Sequence, residues 1–189
     1  GAAIERGDET TVASLAEEGR LMNPGASRWL RRLGESALRR GRASDAADQF
    51  RAAAGSRDGQ PEDWLACAVS LTAAGRHVEA LTVWNRVPPS LIGERVDLSR
   101  LRLQSMAQGA GADVAAAELE AWLAAHPYDR LVRSWLVDLW ERAANPARAF
   151  AAAKPMTDGG DVEWLRRSGQ LARAAGLHAE ALSSLAALL

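Results

Sequence analysis

Three histidines, one cysteine and one acidic glycine-rich stretch are the places where this sequence could do chemistry. His77 and His178 each stand two residues after a glycine, Gly75 and Gly176, and each opens an apolar-periodic segment. An imidazole can hold a metal or move a proton, but a metal site needs His or Cys partners at short, fixed spacings. None of the three histidines has one. His126 simply precedes Pro127, and Cys67 falls among apolar residues as a small packing residue. A histidine that recurs at corresponding positions serves the recurrence rather than a reaction, so both are read as structural. The stretch Asp158-Gly159-Gly160-Asp161 lacks the alternating oxygen ligands and distal Glu of a calcium loop, and no strand leads into it as in a phosphate-binding loop. Asp161 reads instead as the cap of the following helix. Glu17 and Glu18 read as solvated helix residues, and nothing points to a Ser-His-Asp arrangement. The expectation is no catalytic residue, no metal site and no cofactor.

Seven tryptophans raise another chemistry, stacking on a sugar or a base. Trp64, Trp84, Trp122 and Trp140 keep the apolar spacing and are expected in the core, while Trp29, Trp135 and Trp164 stand beside it and could pack between repeats or face a ligand.

The elements behind these residues come from a period. Gly41 recurs as Gly75, Ala46 as Ala80 and Phe50 as Trp84, each 34 residues on. A fixed step of this size marks a stacked repeat architecture. Each repeat reads as two amphipathic helices and a tight turn. The first helix carries Leu30, Leu33, Gly34, Ala37 and Leu38, stops at Gly41, and the second presents Ala46, Phe50 and Ala53 on one face. The next repeat gives Trp64, Cys67, Ala68 and Leu71, then Gly75, Ala80, Trp84 and Val87.

These residues resemble the tetratricopeptide repeat, and the resemblance covers about the whole chain. It implies an all-α fold, a right-handed superhelical solenoid of antiparallel helix pairs with about 11 helices. The reading divides the chain into a half-repeat at 8–26 and repeats at 27–60, 61–94, 95–129, 130–161 and 162–189, in a single domain. The half-repeat carries Val12, Ala16, Gly19 and Pro24. The third repeat has Leu98, Leu101 and Ser105, one extra residue in the turn after Gly109, then Ala115, Leu119, Trp122 and Pro127. The fourth has Leu136, Val137 and Trp140, with Asn145 taking the place of glycine as the stop before Pro146, and a short second helix ending before Pro155. The fifth recovers the pattern with Leu165, Gly169, Ala172, Gly176, Ala181, Leu185 and Leu188. The chain opens within a repeat, so it reads as a segment of a longer array, with Gly1 a tag remnant.

With 189 residues, 48% hydrophobic and 25% charged, a substantial core is possible, and a net charge of −1 argues against a nucleic-acid surface. No apolar run reaches the roughly 18–20 residues of a membrane span. Lys154 is the only lysine, an arginine bias read as the trace of a GC-rich bacterial genome; the compartment stays open.

In this family the first helix of each pair lines a groove. The resemblance assigns to it Arg28 and Arg31 in the first repeat, Leu65 and Val69 in the second, and Ser99, Leu103 and Met106 in the third. Asp138 follows in the fourth, and Arg166 and Arg173 in the fifth. That gives an apolar floor of Leu65, Val69, Leu103 and Met106 with arginines at both ends, suited to an amphipathic helix or extended peptide. Thr72, Val96 and Leu131 line it too. Glu35 stands where the family's carboxylate clamp needs an amide, so no clamp is carried over. The functional expectation is a non-enzymatic scaffold for a protein or peptide partner. The alternatives are a structural repeat domain of a bacterial cell-envelope or exopolysaccharide export protein, or an accessory domain of a larger enzyme. Self-association through exposed repeat ends, at Leu185, Leu188 and Leu189, is a further possibility.

Overall fold

The computed structural model describes residues 9–23, 26–158 and 160–188. The expectations for Gly1, Asp8, Pro24, Gly159 and Leu189 fall outside them. Among the described residues the regular structure is helical, with no strand. Alternating apolar stripes and glycine stops produce α1 (Glu9–Met22), α2 (Ser27–Arg39), α3 (Ala43–Ala54), α4 (Pro61–Ala73), α5 (His77–Trp84) and α6 (Pro89–Ile92). Then come α7 (Val96–Gly109), α8 (Ala112–Ala125), α9 (Arg130–Arg142), α10 (Pro146–Ala153), α11 (Val162–Ala174) and α12 (His178–Ala186). The helix beyond the expected eleven is α6, a single turn. The Pro88-Pro89 pair creates it: a residue before proline is pushed out of the helical region, and Pro89 suits the first position of a new helix.

The turns within the pairs share one device. Gly41, Gly75 and Gly176 take φ of 71°, 73° and 75°, and the next residue's N–H returns to a carbonyl in the last helical turn. Arg42 donates to Ala37 O at 2.9 Å, Arg76 to Leu71 O at 2.9 Å, and Leu177 to Ala172 O at 2.8 Å. The fourth turn corrects the sequence reading. Ala144, not Asn145, takes the left-handed conformation (φ 51°), and Asn145 N–H donates to Trp140 O at 2.9 Å. The Asn145 side chain instead accepts the Arg148 N–H at 3.2 Å, capping α10. The extra residue after α7 is absorbed without a left-handed glycine, for Gly111 has φ −63° and precedes α8.

The chain's contacts concentrate in two compact units, one through Ser105 and one from Met106. In the N-terminal unit Ala46 and Ala80 are fully buried, and a Cβ on Gly34 would stand 2.8 Å from the Phe50 ring. α2 and α3 thus meet at the one side chain reduced to hydrogen. Leu38, expected in the stripe of α2, is 40% exposed. Trp84 is buried to 2%, and its indole N–H donates to Thr72 Oγ1 at 3.2 Å; that oxygen lies 2.8 Å from Ser105 Oγ. Two hydroxyls therefore satisfy the polar edge of the largest core side chain. Cys67 is buried with its Sγ 3.4 Å from Ala47 O, and burial raises its thiol above the ordinary range, which suits a packing residue.

In the C-terminal unit Leu136, Val137 and Trp140 of α9 are buried as expected. α10 ends at Ala153, and a 3-10 turn (Lys154–Met156) delivers Met156 into the core, compensating the short helix. Trp64 and Trp122 depart from the core expectation, each in its own unit; both are half-buried. Arg86 lies over the Trp64 ring at 4.8 Å. Trp122 donates to Asp129 Oδ2 at 2.8 Å and stacks on His126 with ring centroids 3.9 Å apart, which gives His126 a packing role.

Candidate partner-binding faces

The residues assigned to the groove lie on first-of-pair helices, and their surroundings divide them. In the N-terminal unit Arg28 is exposed, its guanidinium 4.7 Å over the Trp29 ring. Trp29 lies against Gly19 of α1, where a Cβ would come within 2.4 Å of the indole. Arg31 is committed elsewhere. Its Nε donates to Asp63 Oδ1 at 2.6 Å and its Nη2 to Oδ2 at 3.0 Å and to Asp58 O at 3.2 Å. Asp63 is 2% exposed and also accepts the Gln60 N–H at 2.8 Å, so this fork holds one helix pair to the next. Leu65 and Val69 are half-buried against the core, and Ser99 is half-buried. Leu103, expected on the floor, is 6% exposed and belongs to the core: Leu98, Leu103 and Ser105 are all buried, a wider stripe than its spacing suggests. Thr72 is likewise buried, holding Trp84 and Ser105. Val96, at the start of α7, is 42% exposed.

In the C-terminal unit Met106 is half-buried, while Arg166 and Arg173 are exposed. Asp138 accepts from Arg167 Nη2 at 2.5 Å. The same guanidinium binds Glu141, through Nε at 3.2 Å and through Nη2, and lies 5.0 Å from the Trp164 ring. Leu131 at the start of α9 is 50% exposed.

The residues that sequence reasoning missed are the arginines that tie one repeat to the next. Arg76 reaches Ser44 and Asp48 at 3.0 Å and Glu79 at 2.7 Å, and Arg51 reaches Glu79 at 2.9 Å. Glu79, between Arg76 and Arg51, is held at about 2, well below the usual carboxylate range, by the hydrogen bonds those two guanidiniums donate. Arg130 pairs with Asp161 at 2.6 Å, and Asp161 also accepts the Trp164 N–H, the expected cap. The signal was available: most of these partners stand 28 to 32 residues away, just short of one period, where stacked helices bring them together. Chemically the arrangement offers apolar contact and charge, and among the described residues no group of three or more His, Cys, Asp or Glu side chains is gathered to hold a metal. Nor is any helix there long and apolar enough to cross a membrane.

No model of a known protein family matches this chain, and no curated protein does. Solved structures do. MamA from Desulfovibrio magneticus RS-1, residue 41 to its end, matches with a TM-score of 0.63 at 19% identity, covering 86% of this chain and 92% of that one. PilF of Pseudomonas aeruginosa matches with a TM-score of 0.53 at 16% identity over 97% of this chain and 84% of its own. A tetratricopeptide repeat protein from Parabacteroides merdae ATCC 43184 matches with 0.52 at 10% identity, covering 96% and 72%. Identities this low speak for the fold alone, and on that fold the helix pairs, the turn glycines and these structures agree: the chain folds as tetratricopeptide repeats.

Proposed function

We propose that this chain is a non-enzymatic protein-interaction scaffold that holds a peptide or helix of a partner against its first-of-pair helices. One observation carries the reading: Val96 and Leu131, at corresponding positions of successive repeats, are 42% and 50% exposed. A single exposed apolar residue means little, but one that recurs at the same place of the repeat gives each unit an apolar anchor point for a partner segment. Half-buried Leu65, Val69 and Met106 extend the apolar surface of their own helices, and exposed Arg28, Arg166 and Arg173 suit acidic residues in the partner. Arg31, Asp138 and Leu103 contribute structure rather than contact.

The test is affinity capture with the parent and with a Val96→Asp/Leu131→Asp variant whose helical circular dichroism matches the parent. A partner held by the parent should bind the variant at least about tenfold more weakly, a loss of about 1.4 kcal/mol. Equal binding by both moves the contact surface off these helices.

A further inference from the structure

Two clefts of the molecule are built from corresponding residues. One, between α3, α4 and α5, is lined by Arg51, Trp64, Glu79, Thr82, Val83 and Arg86 and holds about 260 Å³. The other, between α8, α9 and α10, holds about 640 Å³. A shift of 69 residues, two periods and the inserted residue, carries Arg51 to Glu120, Trp64 to Arg133, Glu79 to Arg148, Thr82 to Ala151 and Val83 to Ala152. The chain's own Trp64 indole walls the first cleft and narrows it, with the Arg86 guanidinium over the ring at 4.8 Å. An ion pair from Arg51 to Glu79 at 2.9 Å borders it.

The second cleft has an apolar base in Leu136 and Trp140 and lacks the indole wall and the larger side chains of the first. Alanines replace Thr and Val, and in place of the indole stands Arg133, whose Nη2 is drawn off to Pro127 O at 2.9 Å. The bordering charges are inverted and unjoined. Arg148 lies over the Trp140 ring at 4.5 Å and pairs with Asp113 at 3.0 Å, so Glu120 has no ion pair among the described residues. Its volume falls within the roughly 300–1,000 Å³ of ligand sites.

We infer that this second cleft receives a large aromatic side chain of a partner peptide, with a basic residue beside it meeting Glu120. The occupant is read from the molecule: the corresponding cleft shows that an aromatic ring under a cation fits this frame, and the spare carboxylate supplies the charge complement. The cleft shares no residue with the Val96 and Leu131 surfaces, so either can fail alone.

The experiment is a nuclear magnetic resonance titration of the alanine-methyl-labelled full chain with a blocked tetrapeptide carrying tryptophan then lysine. Methyls of Ala117, Ala124 and Ala151 should shift saturably. A peptide with alanine for tryptophan should bind about tenfold more weakly, and Glu120→Gln should lower affinity for the lysine peptide about threefold. Arg133→Trp/Ala151→Thr/Ala152→Val, which rebuilds the first cleft, should abolish the shifts; Ala151→Phe serves the same end if the triple variant does not fold. Shifts centred elsewhere, equal binding of the alanine peptide, or undiminished binding by a folded filled variant would overturn the inference.

Discussion

The helix pair α2–α3 and the last pair, α11–α12, open on nearly the same words and close differently. Arg28-Trp29-Leu30-Arg31-Arg32 is echoed by Glu163-Trp164-Leu165-Arg166-Arg167, with Gly34 and Gly169 in register. In the first pair the Phe50 ring occupies the space a Gly34 Cβ would need, and Phe50 is 5% exposed. In the last, a Cβ on Gly169 would stand 3.4 Å from Ser184 Cβ and 3.6 Å from Leu185 Cγ, ordinary contact, and Leu185 is 48% exposed. The glycine permits close approach; the size of the facing side chain decides whether it is used. The arginines diverge too. Arg31 reaches forward to buried Asp63, whereas Arg166 is exposed and Arg167 reaches back to Asp138 and Glu141. The position of the carboxylates, not the arginine-rich wording, sets the direction of each tie.

The sharpest break of this comparison is Arg31→Met against Arg167→Met. The first strands a carboxylate at 2% exposure and should cost about 2–3 kcal/mol in urea unfolding, while the second loosens a more open cluster and should cost less than about 1 kcal/mol. Equal losses would mean that burial of Asp63 is not what makes its tie matter. Next come the glycines. Gly34→Ala should cost about 1–2 kcal/mol, relieved when Phe50→Leu is added, whereas Gly169→Ala should be neutral or gain up to about 1 kcal/mol from helix propensity. A destabilising Gly169→Ala would show the last pair to be as tightly closed as the first. The smallest effect is on pH. Glu79 titrates at about 2 in the folded chain, below its ordinary 4.5, so the stability its arginines supply is complete above about pH 4.5 and is lost as pH falls toward 2. Carboxyl-carbon resonances should show Glu79 titrating below the other glutamates, and Arg76→Met should raise its midpoint.

The fold was legible because the period fixes which residues repeat, and glycine in a left-handed turn, alanine at a crossing and a large residue opposite are demanded by backbone geometry. Ala144 escaped because hydrogen bonds around the turn, which no residue type announces, hold an alanine at φ 51°. Leu103 escaped because period alone does not report how wide a buried stripe is. The arginine ties were written in plain view at spacings just short of one period, yet charge at that distance carries no local signal until helices are stacked.

The fork from Arg31 to Asp63 has a consequence for the length of the chain. Asp97 stands 34 residues after Asp63, at the matching position of the following repeat. Excising one whole period from Pro61 onward would bring Asp97 to the spot Asp63 vacates, and Arg31 would again face a carboxylate. A deletion one residue shorter or longer would present it with Val96 or Leu98 instead. For this arginine the tie should survive removal of that one period and fail when the cut is a residue longer or shorter.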